Sequence, residues 1–312
     1  FVRHPVRAFL RTRLGVSLAD RSHEVDDALP VDLDALERWG VAERMLAARL
    51  AGADLDDCIA AERARGLLPP GELATPVLSK ITPTLEQLVA VGRSDVEPSS
   101  LDVNVRFPDE TSLIGTVAHL RGDVLHTVTY SSLSPAHRLI AWVRLLALSA
   151  AWPERTFGAV TIGRAREGVG GAKVTTATIQ ALEGDAATRQ GVAMAYLRTL
   201  VDLYRRGMCE PLPLYSKTSA AWAAAVHEGK DPDKAASRVW TSEFNHPRED
   251  QEREHRLVLG GVVGFEWVLG GSGAPRGDEE GDDWDPSQKT RFARYACRLW
   301  DGLLDREELV DR

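Results

Sequence analysis

Ser112-Leu-Ile-Gly115-Thr-Val-Ala118-His-Leu120-Arg-Gly122-Asp-Val124-Leu-His-Thr-Val-Thr-Tyr130 is the stretch on which the fold turns. Residues before Arg121 are largely apolar or β-branched and form one strand. Arg121-Gly122-Asp123 makes a tight turn, and Val124 to Tyr130 runs back as a second strand. After Ser131-Ser132-Leu133-Ser134-Pro135, an apolar-rich helix is predicted from about Ala136 to Ala151. Ser134 suits its N-cap, and Pro135 its first helical position.

Working outward, Leu101, Val103, Val105 and Phe107 alternate as a strand that should join the same sheet. Phe157 to Gly163 and Lys173 to Ile179 read as two further strands. The glycine-rich tip between them, Gly168-Val-Gly-Gly-Ala-Lys173, lacks the Gly-Lys-Ser/Thr of a phosphate loop, and a strand follows it rather than a helix. Pro5 to Leu14 has the spacing of a basic amphipathic helix. Asp20 to Asp34 is an acidic loop. Asp32 to Gly52 reads as a helix with Leu33, Leu36, Trp39, Val41, Met45, Leu46 and Leu50 inward. Asp56 to Arg65 is a helix ended by Gly66, and a further helical stretch opens at Gly71 to Thr75 and continues through Leu85 to Val91. Asp185 caps a long helix reaching Gly207, whose Tyr196, Leu197, Leu200, Leu203 and Tyr204 form a core stripe. Leu257 to Leu269 is apolar and broken by glycines, and its pattern leaves strand and loop both open. Gly270 to Asp285 is expected to be an exposed acidic loop without the ligand spacing of a calcium site. Pro286 to Asp311 closes the chain as an amphipathic helix.

The chain has 312 residues and a net charge of −8. Such an acid excess argues against coating nucleic acid over the whole surface and leaves room for a local basic patch. Cys58, Cys209 and Cys297 are scattered, so neither a disulfide framework nor a zinc site is expected, and a reducing cytoplasmic home is the default. No run reaches the ~18 apolar residues of a membrane helix. The chain opens on Phe1, and we expect it to be part of a longer protein.

The strand–turn–strand–helix layout resembles the core of the PD-(D/E)xK nucleases. Active members carry Gly-x-(Ile/Val)-Asp in the first strand and Asp-Tyr-Lys at the end of the second. Two carboxylates hold Mg²⁺, a hard cation that prefers oxygen, and the lysine offsets charge developing on the phosphate. Here the first motif reads Gly115-Thr116-Val117-Ala118 and the second Thr129-Tyr130-Ser131. Ala118, Thr129 and Ser131 therefore stand at degenerate positions, with no catalytic residue, metal or cofactor expected. Active relatives also often place a histidine ligand four residues after a glycine like Gly71, where Thr75 stands here.

Arg3-His4-Pro5-Val6-Arg7-Ala8-Phe9-Leu10, the turn Gly66 to Gly71, and Tyr204-Arg-Arg-Gly-Met208 are similar to the C-terminal domain of the exodeoxyribonuclease V gamma subunits (RecC). So are Glu210-Pro-Leu-Pro213, Lys217-Thr-Ser219 and Ala221-Trp222, which follow in the same order. The resemblance implies an α/β, restriction-endonuclease-like core: a mixed central sheet flanked by helices, with helical N-terminal and C-terminal extensions. Residues 1–95 would be the helical N-terminal region, 96–230 the core and 231–312 the extension with acidic loop 270–285. It also implies a non-catalytic module of a RecBCD-type helicase–nuclease, working with RecB-like and RecD-like subunits at a double-stranded DNA end. The alternative is an active DNA exonuclease with a migrated metal site, for which Asp102, Asp109, Glu110 and Asp123 are the nearby candidates. A free-standing DNA-binding protein is a third reading, opposed by the acidic charge.

For DNA contact the sequence offers the hairpin tip, with Arg164, Arg166 and Lys173 among Gly168, Gly170 and Gly171. Arg7 and Arg11 form a second patch. His119 and His126 face each other across the hairpin without a third ligand in view. Ser216 and Ser219 have no placed histidine or acid for nucleophilic chemistry.

Overall fold

The computed structural model describes residues 1–18, 33–165, 173–243, 246–281 and 283–312. Helix α1 is Pro5–Ala8, followed by a π-helical turn at Phe9–Arg13. Then come α2 (Ala35–Leu50), α3 (Leu55–Ala64), α4 (Ala74–Gly92), β1 (Ser99–Arg106), β2 (Ser112–Arg121), β3 (Val124–Ser132) and α5 (Pro135–Ala151). After these lie β4 (Gly158–Arg164), β5 (Val174–Ile179), α6 (Ala186–Cys209), α7 (Ser216–His227) and α8 (Pro232–Trp240). The chain closes with α9 (Arg253–Leu259), α10 (Phe265–Gly271), α11 (Arg291–Leu304) and β6 (Glu307–Asp311).

The strands form one six-stranded sheet in sequence order. Only β3 and β4 are parallel, joined by the crossover helix α5, and the other neighbours are antiparallel. Alternation along each strand sends side chains to opposite faces. Phe157 and Ala159 join a core with Leu139, Trp142, Leu145 and Trp300, on the side of α5, α6 and α11. Val160 and Ile162 meet α2 and α4 on the other face, with Met45, Leu46, Ile81 and Leu85. A third cluster gathers Val6, Phe9 and Leu10 with Tyr215, Trp222, Trp240, Phe265 and Phe292. The N-terminal segment thus packs against the C-terminal helices, and the two ends of the chain stabilise each other. Each large side chain buried there contributes roughly 1.5–3 kcal/mol.

Three readings of the sequence need correction. The residues after Leu304 leave the helix and form β6, pairing antiparallel with β5 from Thr175↔Asp311 to Ile179↔Glu307. Glu307, Glu308 and Asp311 disguise it, because an edge strand tolerates charge that a central one does not. It is pinned by Arg138, which pairs with the buried Glu307 and covers the Trp300 ring. Second, the acidic loop is not simply exposed. Glu279 is 1% exposed and receives Arg291 Nε at 2.8 Å and the Tyr295 hydroxyl at 2.8 Å, while Trp284 is buried beside Tyr295. Its composition looked solvated because the arginines that neutralise it lie elsewhere in sequence. Third, Leu36 and Trp39 point outward from α2. The buried stripe of α2 starts at Val41, where the helix meets α4 and β3.

The undecided stretch 257–269 holds the end of α9 and the start of α10, joined by a turn at 260–264 that opens on Gly260 and Gly261. The acidic loop 20–34 lies almost wholly outside the described residues. No helix among the described residues is long and apolar enough to cross a membrane.

Candidate functional site

The two stretches that the nuclease resemblance singles out, around Ala118 and Thr129, sit on two register breaks that flank a split in the sheet. Between Leu101↔Val117 and Ser99↔Leu120, β2 advances three residues for two of β1, so Ala118 and His119 form a bulge, with His119 at φ +64°. Between Val128↔Ile162 and Ser132↔Arg164, β3 advances four residues for two of β4, so Thr129-Tyr130-Ser131 bulges as well. Bulges re-aim side chains and are common beside active sites. The second is locked by Gly163, where a Cβ would lie 2.8 Å from the Ser131 carbonyl oxygen, so only glycine fits. Arg164 holds it too: Nε donates to the Tyr130 carbonyl at 2.5 Å and the guanidinium lies over the Tyr130 ring.

β2 and β3 pair only at Leu120↔Leu125 and Arg121↔Val124 and then part. The gap opens into a cleft of about 780 Å³ walled by α2 on one side and α5 on the other. Arg121 fixes its mouth by donating to the carbonyls of Ser94 and Val96.

At the position of the second motif, a hydroxyl network replaces the expected charges. Glu43, from α2, accepts from the Thr129 hydroxyl at 3.2 Å and from the Tyr130 backbone N–H at 2.7 Å. The Thr129 oxygen accepts from the Ser131 N–H at 3.1 Å, and the Trp39 indole N–H donates to the Ser131 hydroxyl at 3.0 Å. Thr129 is buried, and Ala118 is exposed on the bulge. Glu43 is thus one carboxylate that the strand motifs could not reveal, since it comes from a helix about 86 residues away in sequence.

Three of the four carboxylates named for a migrated site are engaged elsewhere. Asp102 accepts from Thr116 at 2.6 Å. Asp109 takes Thr111 and Arg205, and these partners lower its pKa to about 2. Asp123 pairs with Arg155, and Glu110 sits at φ +66° in the β1–β2 turn. Thr75 is exposed and bonded to Glu72. His119 and His126 both line the cleft, and the strands carrying them are already separating there. Ser216 donates to the Arg3 carbonyl, and Ser219 accepts from the Tyr215 N–H, so both serve the backbone.

Of the residues offered for DNA contact, Arg164 is half-buried and committed to Tyr130, while Lys173 is exposed where its backbone N–H meets the Arg312 carbonyl. Arg166 and the tip glycines lie outside the described residues. Arg11 is exposed, but Arg7 pairs with Glu254 at 2.5 Å. The N-terminal motif forms a clamp. His4 caps α1 by accepting the Arg7 N–H on Nδ1, which leaves Nε2 facing Glu252 at 2.9 Å. Burial opposes the charge of Glu252, yet the His4 hydrogen bond and the charges of His255 and Lys217 hold its pKa down to about 2. His4, Glu252 and His255 are the only three metal-type donors close enough to share an ion among the described residues. One ring nitrogen of each histidine is already used: His4 Nδ1 by the Arg7 N–H, and His255 Nδ1 by the Glu249 carbonyl at 2.8 Å.

Fold and site together define a mixed α/β protein in which a split, doubly bulged sheet frames a cleft, and a clamp joins the N-terminal segment to the C-terminal helices. The family model described as the RecC C-terminal domain matches residues 1–227, and the chain belongs to that family. Relatives cover the remainder as well. A protein named RecBCD enzyme subunit RecC from Mycobacterium tuberculosis (strain CDC 1551 / Oshkosh) is 36% identical over 99% of this chain. That from Mycolicibacterium smegmatis is also 36% identical over 99%. The namesake from Escherichia coli (strain K12) is 24% identical over 74% of this chain and 19% of its own length. The chain spans 27% of the length of the mycobacterial relatives.

Proposed function

We propose that this chain is a non-catalytic, nuclease-like module of a helicase–nuclease of the RecBCD type. It docks a helicase subunit and guides the DNA as the duplex is parted for repair and recombination. The core is read as restriction-endonuclease-like, a PD-(D/E)xK frame, and residues 1–95, 96–230 and 231–312 act as one unit. The shared cluster of Val6, Phe9, Trp222, Trp240 and Phe292 supports that unity. The partners are RecB-like and RecD-like subunits and a DNA end, in the cytoplasm, with no resident cofactor.

The observation that carries this reading is the pair of bulges. Both lie where the nuclease resemblance expects metal ligands, and there Ala118, Thr129 and Ser131 supply a methyl and two hydroxyls. Hydroxyls bonded to Glu43 and Trp39 offer Mg²⁺ far less than paired carboxylates do. Membership of the RecC C-terminal family supports the assembly and its partners. The test is co-purification of the chain with each helicase subunit. Co-elution with a RecD-like subunit at equal stoichiometry is expected, and elution apart from every subunit would overturn the docking role.

A further inference from the structure

We propose that the split between β2 and β3 takes in an extended, acidic segment of a partner protein, which adds a strand along β3 and sets its carboxylates against Arg144 and Arg3. This site rests on the cleft alone. It depends neither on the docking of a helicase subunit nor on contact with DNA.

β3 has an open edge inside the cleft. The Gly158 N–H donates to the Asp123 carbonyl, and the parallel register then runs unbroken from Val124↔Gly158 to Val128↔Ile162. Backbone groups alternate between the two sides of a strand, so those of 123, 125 and 127 serve β4 while those of 124, 126, 128 and 130 turn the other way. Val124 meets β2 there at Arg121, and Leu120↔Leu125 is the last pair. At the far end Glu43 accepts the Tyr130 N–H at 2.7 Å, and Arg164 Nε donates to the Tyr130 carbonyl. Side chains thus stand in for a strand at Tyr130. Between these two points Val128 lines the cleft with no strand opposite it among the described residues. An unpaired strand edge is a template for another chain, and its main-chain groups supply the affinity when a peptide adds to it.

The two walls differ in character. α2 offers Leu46, Ala47 and Leu50, whereas α5 offers His137, Ile140 and Arg144, spaced so that they share one face. Arg144 is half-buried, and Arg3, which also lines the cleft, is near enough for the two charges to repel. Neither guanidinium has an ion pair or side-chain hydrogen bond among the described residues, although Arg44, Arg49, Arg138 and Arg291 each reach a carboxylate. A guanidinium keeps its charge and presents a fork of donors that matches a carboxylate. An added strand sends alternate side chains to opposite faces, so the segment that fits is apolar toward α2 and acidic toward α5. A volume of about 780 Å³ suits a few such residues. A nucleic-acid strand suits the cleft less. It has no alternation of N–H and C=O to meet Val128, and no Phe, Tyr or Trp ring lines the cleft for bases to stack on. Glu43, Asp95 and Glu97 also line it, and they oppose a chain charged at every unit.

The test is fluorescence anisotropy of the 312-residue chain with a labelled eight-residue peptide of alternating valine and glutamate. Saturable binding is expected, with a Kd below about 1 mM. The same peptide with lysine for glutamate, and one N-methylated throughout so that it keeps its charge and loses its N–H donors, should each bind at least about tenfold more weakly. Arg144→Gln should weaken the glutamate peptide by about tenfold. Arg144→Glu should reverse the preference and favour the lysine peptide. Lys234→Gln, on α8, should change nothing. Hydrogen exchange of the parent chain supplies a readout that needs no variant, since the Val128 amide should slow when the peptide is bound. The proposal is overturned if the parent chain does not bind by about 1 mM. It is equally overturned if the N-methylated or lysine peptide binds as tightly as the glutamate peptide, if Arg144→Gln binds it unchanged, or if exchange at Val128 is unaltered at saturation. Protection of Val128 by oligo-dT and not by the peptide would overturn it in favour of nucleic acid. None of these outcomes bears on co-purification with a helicase subunit.

Discussion

Replacing Thr129 by aspartate introduces the residue that the nuclease resemblance expects at this position, and the geometry around Thr129 sets what that costs. The Thr129 hydroxyl lies 3.2 Å from a Glu43 carboxylate oxygen, and Thr129 is buried. An introduced carboxylate would face Glu43 at roughly 4 Å. With an effective dielectric constant near 20 the repulsion is about 4 kcal/mol. Rotation of the new side chain toward the cleft lowers it, and a net loss of about 2–4 kcal/mol is expected at pH 7. Roughly 2 °C per kcal/mol for a chain of this size gives a melting temperature lower by about 4–8 °C. Thr129→Asn, nearly the same shape and uncharged, is the control. The sign with pH follows from proton sharing. Two close carboxylates bind a proton more readily folded than unfolded, so the penalty is present at neutral pH and fades as pH falls through the carboxylate range. Thermal melts of both variants between pH 4 and 8 measure it. Equal stability of the two at pH 7, or a gap that does not close on acidification, would refute the placement of Glu43. The triple variant Ala118→Asp/Thr129→Asp/Ser131→Lys should be less stable still, and should not degrade DNA with Mg²⁺ or Mn²⁺.

Glu279→Ala removes a buried partner of Arg291 and Tyr295 and should cost about 3–5 kcal/mol by urea unfolding. A loss under about 0.5 kcal/mol would mean that loop 270–285 is solvated after all. Glu252 has a folded-state pKa of about 2, below its unfolded value. Its stabilisation is therefore present above the ordinary carboxylate range, and about 3 kcal/mol is lost as pH falls toward 2. His4→Ala should shrink that acid-dependent component, and an unchanged acid limb in urea titrations would count against the clamp.

The local elements were legible in the sequence because each depends on neighbours along the chain. Alternation placed β1, β-branched apolar runs about a tight turn placed β2 and β3, Asp185 and Ser134 marked the starts of α6 and α5, and the glycine-bounded helices lay near their expected limits. Degeneracy of the strand motifs was also legible, since it is a matter of which residues stand at Ala118, Thr129 and Ser131. Everything that depends on long-range pairing had to come from the tertiary structure. β6 exists because β5 offers it an edge, and Glu279 is buried because Arg291 neutralises it. Arg7 became part of a clamp because Glu254, 247 residues away in sequence, pairs with it. Periodicity cannot report a register break either. A bulge changes no residue type, only which residues face one another. The two bulges that open the cleft, and the convergence of Glu43, Arg3 and Arg144 upon it, were therefore decided by packing alone.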